Sequence, residues 1–91
     1  MIFVAVVDVM PKAGISDPQG QAIERALPGI GFEGIATVRV GRRIELTIEA
    51  PDQASAGTEL SKACERFLAN PVIEDYSITL RDPSDVGAAG A

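Results

Sequence analysis

The sequence contains no histidine and no tryptophan, and only one cysteine and one tyrosine. Without histidine it lacks the commonest proton-transfer side chain at neutral pH and the commonest transition-metal ligand. With no tryptophan and a single tyrosine, aromatic platforms for stacking bases or sugars are scarce. The lone thiol, Cys64, rules out an intrachain disulfide framework and fits a reducing compartment, so a cytoplasmic location is expected. No apolar run reaches the roughly 18 residues of a transmembrane helix. Basic residues are also few, 8 against 13 acidic ones, for a net charge of −5. That balance argues against nucleic acid or an anionic membrane as partner, because both require a basic face.

What is present is apolar. Hydrophobic residues make up 46% of 91 positions, with a mean hydropathy of +0.17. A single domain of this size buries only about 60–65% of its unfolded surface. Self-association is an ordinary outlet for the excess.

The first strand is Ile2 to Val9, a near-continuous β-branched and aromatic run. Ile2, Val4 and Val6 share one face; Phe3, Ala5, Val7 and Val9 share the other. Apolar residues on both faces predict a central strand. Asp8 interrupts the run, as a strand end or as part of a site. The loop PKAGISDPQG, Pro11 to Gly20, follows with two prolines and two glycines. Its Asp17-Pro18 pair reads as a helix start: the carboxylate can cap free N–H groups, and Pro18 has none to lose. A short helix over 18–27 is predicted, with Ala22, Ile23, Ala26 and Leu27 as its buried stripe and Pro28 as its stop.

Residues 34–40 and 43–50 alternate as two further strands. Gly41-Arg42 suggests a two-residue turn between them, which would set Arg39 opposite Ile44. A three-residue loop over 41–43 instead matches Val40 with Ile44, Val38 with Leu46 and Arg39 with Glu45. That register keeps the apolar face intact and is preferred. Pro51-Asp52 opens a longer helix to about Ala69, with Ala56, Leu60, Ala63, Cys64, Phe67 and Leu68 on one apolar face. A fourth strand runs over Val72 to Leu80, in which Glu74 is the odd polar member of the face shared by Val72, Tyr76, Ile78 and Leu80. The order β-α-β-β-α-β predicts an α+β two-layer sandwich of ferredoxin-like arrangement: a four-stranded antiparallel sheet with two helices on one face. The domain spans residues 1–81, and residues 82–91 read as a disordered tail. The second sheet face would be left uncovered, exposing apolar residues of the first strand, and such a patch usually marks a partner.

No specific catalytic constellation is present, and no catalytic, cofactor-binding or metal-binding residue is expected. Ser16 has no histidine to activate it, and Cys64 reads as a small buried hydrophobe. Glu45 and Glu49 share a strand face and read as solvated, with Arg39 opposite, rather than as metal ligands. The glycines match neither GxxxxGK[ST] nor GxGxxG. Asp17 would repel a phosphate from the helix start where one normally binds. Partner contact is the remaining use for the exposed polar groups Lys12, Asp17, Gln19, Arg39, Arg42 and Arg43. The three arginines read as a hairpin tip, either solvated or docking on an acidic surface. Lys12 faces solvent or a partner. Tyr76 fits the core or a subunit interface, its hydroxyl at a polar edge.

Three segments, in this order and spacing, resemble a known family: PKAGISDPQGQAIERAL (11–27), GFEGIATVRVGRRIEL (31–46) and ANPVIEDYSI (69–78). They look like the PurS subunit of phosphoribosylformylglycinamidine synthase, over about residues 2–80. Arg42 stands where that family often has lysine. The resemblance implies a small, cytoplasmic, self-associating subunit, as a homodimer or a dimer of dimers. It would bridge a large synthetase subunit, PurL, and a glutaminase subunit, PurQ, and aid ammonia transfer between them. The complex would convert formylglycinamide ribonucleotide, glutamine and ATP to formylglycinamidine ribonucleotide in purine synthesis. ATP and magnesium would sit on the large subunit, and none on this chain. The alternative is a small-molecule-sensing regulatory dimer of the same fold, which needs a pocket of convergent polar groups.

Overall fold

A computed structural model describes residues 1–82. The expected tail lies, apart from Asp82, outside the described residues. The organising strand is β1, Ile2–Pro11. It pairs antiparallel on one side with β2, Arg42–Glu49, in a register running from Ile2 opposite Glu49 to Val9 opposite Arg42. On its other side lies β3, Glu74–Arg81, from Val4 opposite Arg81 to Pro11 opposite Glu74. The sheet order is β2-β1-β3, so the β-branched run does occupy the centre.

Helix α2, Gln53–Ala63, covers one sheet face. Asp52 caps it, its carboxylate accepting from Ser55 N at 2.7 Å. Val7, Val9, Cys64 and Ala69 form one buried cluster, flanked by Ile44, Leu68, Tyr76 and Ile78. Phe3, Ala50 and Ala56 form another, flanked by Ile48 and Leu80. Each fully buried valine contributes on the order of 1.5–3 kcal/mol from burial. Cys64 is buried and unbonded, as its place on the apolar face predicts.

The helix does not end in regular α-geometry. Its last turn, Cys64–Leu68, is a π-turn. A π-turn holds one residue more than an α-turn, which shifts the phase of everything after it. Leu68 and Ala69 stay inward, but Phe67 is 87% exposed. The sequence periodicity places Phe67 in the core; the wide turn moves it out.

Three further expectations are corrected. Residues 35–40 form no strand, so the described sheet has three strands rather than four. The reversal at 41–43 is not made either. Among the described residues, Gly14 and Gly31 are the glycines with positive φ, and no other residue type has it. A type II′ turn requires positive φ at its first central residue, so Gly41 is not making one. Instead the chain at Gly41 hugs the end of β1, where an added Cβ would collide with the Val9 carbonyl oxygen and the Met10 sulfur.

Helix α1, Pro18–Ala26, is the third correction. It packs against the 3-10 turn Leu27–Ile30 that continues it, and against no strand to a comparable extent. Gly20 is its one buried residue, and the predicted stripe at Ala22, Ile23 and Ala26 is exposed. Gly31, at φ 97°, ends the turn in the left-handed conformation that favours glycine. The second sheet face carries no helix, yet it exposes less than expected. Val6 is 3% exposed between its cross-strand neighbours Glu45 and Thr79, while Ile2 is 57% exposed. Asp8 lies mid-strand on that face, half-buried, with Arg43 and Ser77 opposite.

Candidate functional site

Asp17 ties together the two ends of the segment that leaves the sheet. One carboxylate oxygen accepts from Gly20 N at 3.1 Å and so caps α1. The other accepts from Val40 N at 2.8 Å, across 23 residues of chain. Donation by Val40 and Gly20, with the Arg39 charge nearby, holds the Asp17 carboxyl below the usual carboxylate range. Close approach is possible because position 20 is glycine: a Cβ there would collide with the Val38 carbonyl oxygen and the Asp17 carboxylate.

Around this clasp lies an open cleft of about 270 Å³, lined among others by Lys12, Ile15, Asp17, Glu24 and Arg39. The structure thus brings Arg39 to Lys12 and Asp17, which share a loop far from it in sequence. Gln19 sits beside them, exposed in the first turn of α1. Lys12 makes a loose pair with Asp75 at 3.7 Å, both side chains being well exposed. A second, wider cleft of about 410 Å³ lies between α2 and β3 and includes Gln53, Thr58 and Ser61 but no charged residue.

Arg42 and Arg43 are elsewhere. They open β2 and do not share a hairpin tip with Arg39. Arg43 Nε lies 3.4 Å from Glu45, along its own strand, so Glu45 pairs there rather than with Arg39. Arg42 turns inward on its own chain. Its guanidinium donates to both oxygens of Glu74, at 2.7 and 3.1 Å, and to the Leu68 carbonyl at 2.6 Å. Glu74 also accepts from Asn70 N at 2.7 Å, and Asn70 accepts from Val72 N at 3.1 Å. These bonds brace the end of α2, the 69–73 turn and the starts of β2 and β3. Donation by Arg42, and then by Asn70, lowers the Glu74 pKa. The bidentate geometry suits the planar guanidinium, and lysine could not reproduce it.

Phe67 and Val72, 87% and 79% exposed, stand on this braced end. Glu74 had a sequence signal, as a polar residue within an apolar face; Phe67 had none. Tyr76 is half-buried and donates to Glu65 at 2.8 Å, so its hydroxyl does reach a polar edge. Among the described residues no three Asp, Glu or Cys side chains converge as a metal site. No helix there is long and apolar enough to cross a membrane.

Taken together, these features shape and brace surfaces. A clasp, a brace and exposed apolar side chains can hold another protein chain. Comparison with known proteins points the same way. The family described as PurS, phosphoribosylformylglycinamidine (FGAM) synthase, matches residues 4–82. The chain is 52% identical to phosphoribosylformylglycinamidine synthase subunit PurS of Mycobacterium leprae, covering 82% of this chain and 91% of that one. It is 45% identical to the subunit of the same name from Synechocystis, covering 71% of this chain and 65% of the relative. A chain in the structure of PurLQS from Thermotoga maritima superposes with a TM-score of 0.81 at 33% identity, covering 89% of this chain and 99% of that one.

Proposed function

The chain belongs to the PurS family, and from that premise we propose that it is the non-catalytic small subunit of a phosphoribosylformylglycinamidine synthase complex. In that role it bridges a synthetase and a glutaminase subunit and aids ammonia transfer between them. The complex is a C–N ligase of purine biosynthesis with glutamine as amide donor. ATP and magnesium are bound by its large subunit. The observation that carries this reading is the likeness, over nearly its whole length, to a chain of the Thermotoga PurLQS assembly. Two active sites that exchange ammonia must be held in register and closed to water. A rigid adaptor supplies that by geometry.

Contact with the larger subunits is proposed around Lys12, Asp17, Gln19, Arg39, Arg42 and Arg43. Lys12, Gln19, Arg39 and Arg43 would touch the partner directly. Asp17 and Arg42 would act through the shapes they brace. The protein works in the cytoplasm and self-associates, as a dimer or a dimer of dimers. Supporting self-association, Ile23, Ile30, Phe32 and Ile35 are 43%, 69%, 54% and 45% exposed. The test is reconstitution with the synthetase and glutaminase subunits. Lys12→Glu should leave the melting curve unchanged and weaken assembly. Unchanged assembly would remove Lys12 from the interface.

A further inference from the structure

Phe67 is the most exposed large apolar side chain among the described residues, at 87%. Two features hold it outward. The π-turn Cys64–Leu68 closes with Ala69 N donating to the Cys64 carbonyl at 3.0 Å. Single π-turns within α-helices are rare and recur at functional sites. The Arg42 guanidinium then fixes the next peptide, donating to the Leu68 carbonyl at 2.6 Å while it grips Glu74. Val72, 79% exposed, belongs to the turn that the same network holds: its N–H donates to the Asn70 side chain at 3.1 Å, and Asn70 N donates to Glu74 at 2.7 Å. The backbone under both apolar groups is thus fixed before any partner arrives, which lowers the ordering cost of binding.

The charge beside this end opposes that of the chain as a whole. The chain carries a net −5, yet Lys62 and Arg66, one turn apart and next to Phe67 in sequence, are exposed and form no ion pair among the described residues. The nearby carboxylates are engaged: Glu65 accepts from Tyr76 at 2.8 Å and Glu74 from Arg42. Lys12 adds a third cation, paired only loosely with Asp75. Its N–H donates to the Ile73 carbonyl at 2.9 Å, so the Lys12 loop is stitched to the turn that carries Val72.

We propose that Phe67 and Val72 are the apolar anchors of a surface that docks on a larger subunit of the complex, and that this subunit offers an apolar socket edged by carboxylates, which meet Lys62, Arg66 and Lys12. This rests on the adaptor role proposed above and gives it a place and a chemistry. An aromatic anchor within a charged rim is the arrangement in which a few residues carry most of the binding energy. A second copy of this chain is the poorer occupant. A two-fold contact sets a surface against itself, and here that would put Lys62 and Arg66 against cations.

The test measures binding of the full chain to the purified synthetase subunit, to the purified glutaminase subunit and to their mixture. Phe67→Ala is expected to keep the melting curve and to weaken binding to at least one of them by about thirtyfold. Val72→Ser is expected to act in the same direction, and Phe67→Leu to recover part of the loss. The double variant K62E/R66E is expected to slow association several-fold and to flatten its dependence on salt. If Phe67→Ala and Val72→Ser bind every partner as tightly as the unaltered chain, the anchor is overturned. If K62E/R66E associates as fast as before, with the same salt dependence, the carboxylate-edged socket is overturned. Sedimentation of Phe67→Ala reads the other occupant: lost self-association with intact subunit binding assigns the ring to a second copy and overturns the proposal. An unaltered chain that binds neither subunit nor their mixture overturns the adaptor role itself, and this surface with it.

Discussion

At the residue scale, the structure is held by a few charged groups that act on backbone. Asp17 and Asp52 cap the helices, and Arg42 with Glu74 braces the turn after α2. The Asp17, Asp52 and Glu74 pKa values are all lowered in the folded chain, mainly by donated hydrogen bonds. A carboxyl depressed by folding contributes stability above its unfolded pKa, and that contribution is lost as pH falls through the folded value. Stability should therefore be level through neutral pH and decline below about pH 4, near the ordinary carboxylate values. Denaturant midpoints measured from pH 7 to pH 2.5 check this; a midpoint that holds level to pH 2.5 would contradict it. Arg42→Ala should lower the melting temperature by several degrees, and Arg42→Lys should recover only part of the loss, because one ammonium cannot serve Glu74 twice and the Leu68 carbonyl as well. Adding Glu74→Gln to Arg42→Ala should cost little more, since both remove one network.

At the element scale, the chain's own logic was legible where local chemistry and packing agree. Asp17-Pro18 and Pro51-Asp52 announced the two helices, and the β-branched run at 2–9 announced the central strand. Ile44, Leu46 and Ile48 announced β2 by alternation. The sequence misleads where an element depends on something outside itself. Residues 35–40 alternate as a strand, but a strand needs an edge to join, and no such edge lies within reach of the unreversed chain. The stripe of α1 is apolar, yet helical periodicity cannot say which surface covers it. Phe67 fits an α-periodic core face until one π-turn advances the phase. Two substitutions separate these cases. Leu60, 2% exposed, should cost about 2–5 kcal/mol when changed to alanine. Phe67→Ser should change stability by no more than about 0.5 kcal/mol. Chemical denaturation of both variants measures the contrast, and a large loss from Phe67→Ser would place that ring in the core after all.

At the scale of the whole molecule, the features that stand out are surfaces. The segment from α1 to Val40 stands apart from the sheet, held at its base by Asp17, and presents apolar side chains outward. The braced end carries Phe67 and Val72 on another part of the surface. The grouping of the candidate residues in space was partly legible. Lys12, Asp17 and Arg39 do gather at one cleft, whereas Arg42 proves to be committed within the chain, which only the position of Glu74 could reveal. We propose that this chain contributes assembly, not chemistry, to a glutamine-dependent ligase. Its most direct test is a steady-state assay of the purified synthetase and glutaminase subunits, with and without this protein, using glutamine as donor and formylglycinamide ribonucleotide with ATP as substrates. No ligase or glutaminase turnover is expected from this protein alone, and glutamine-dependent product formation should rise and saturate as it is added. Product formation that is unaffected by its addition, or turnover by this protein alone, would contradict it.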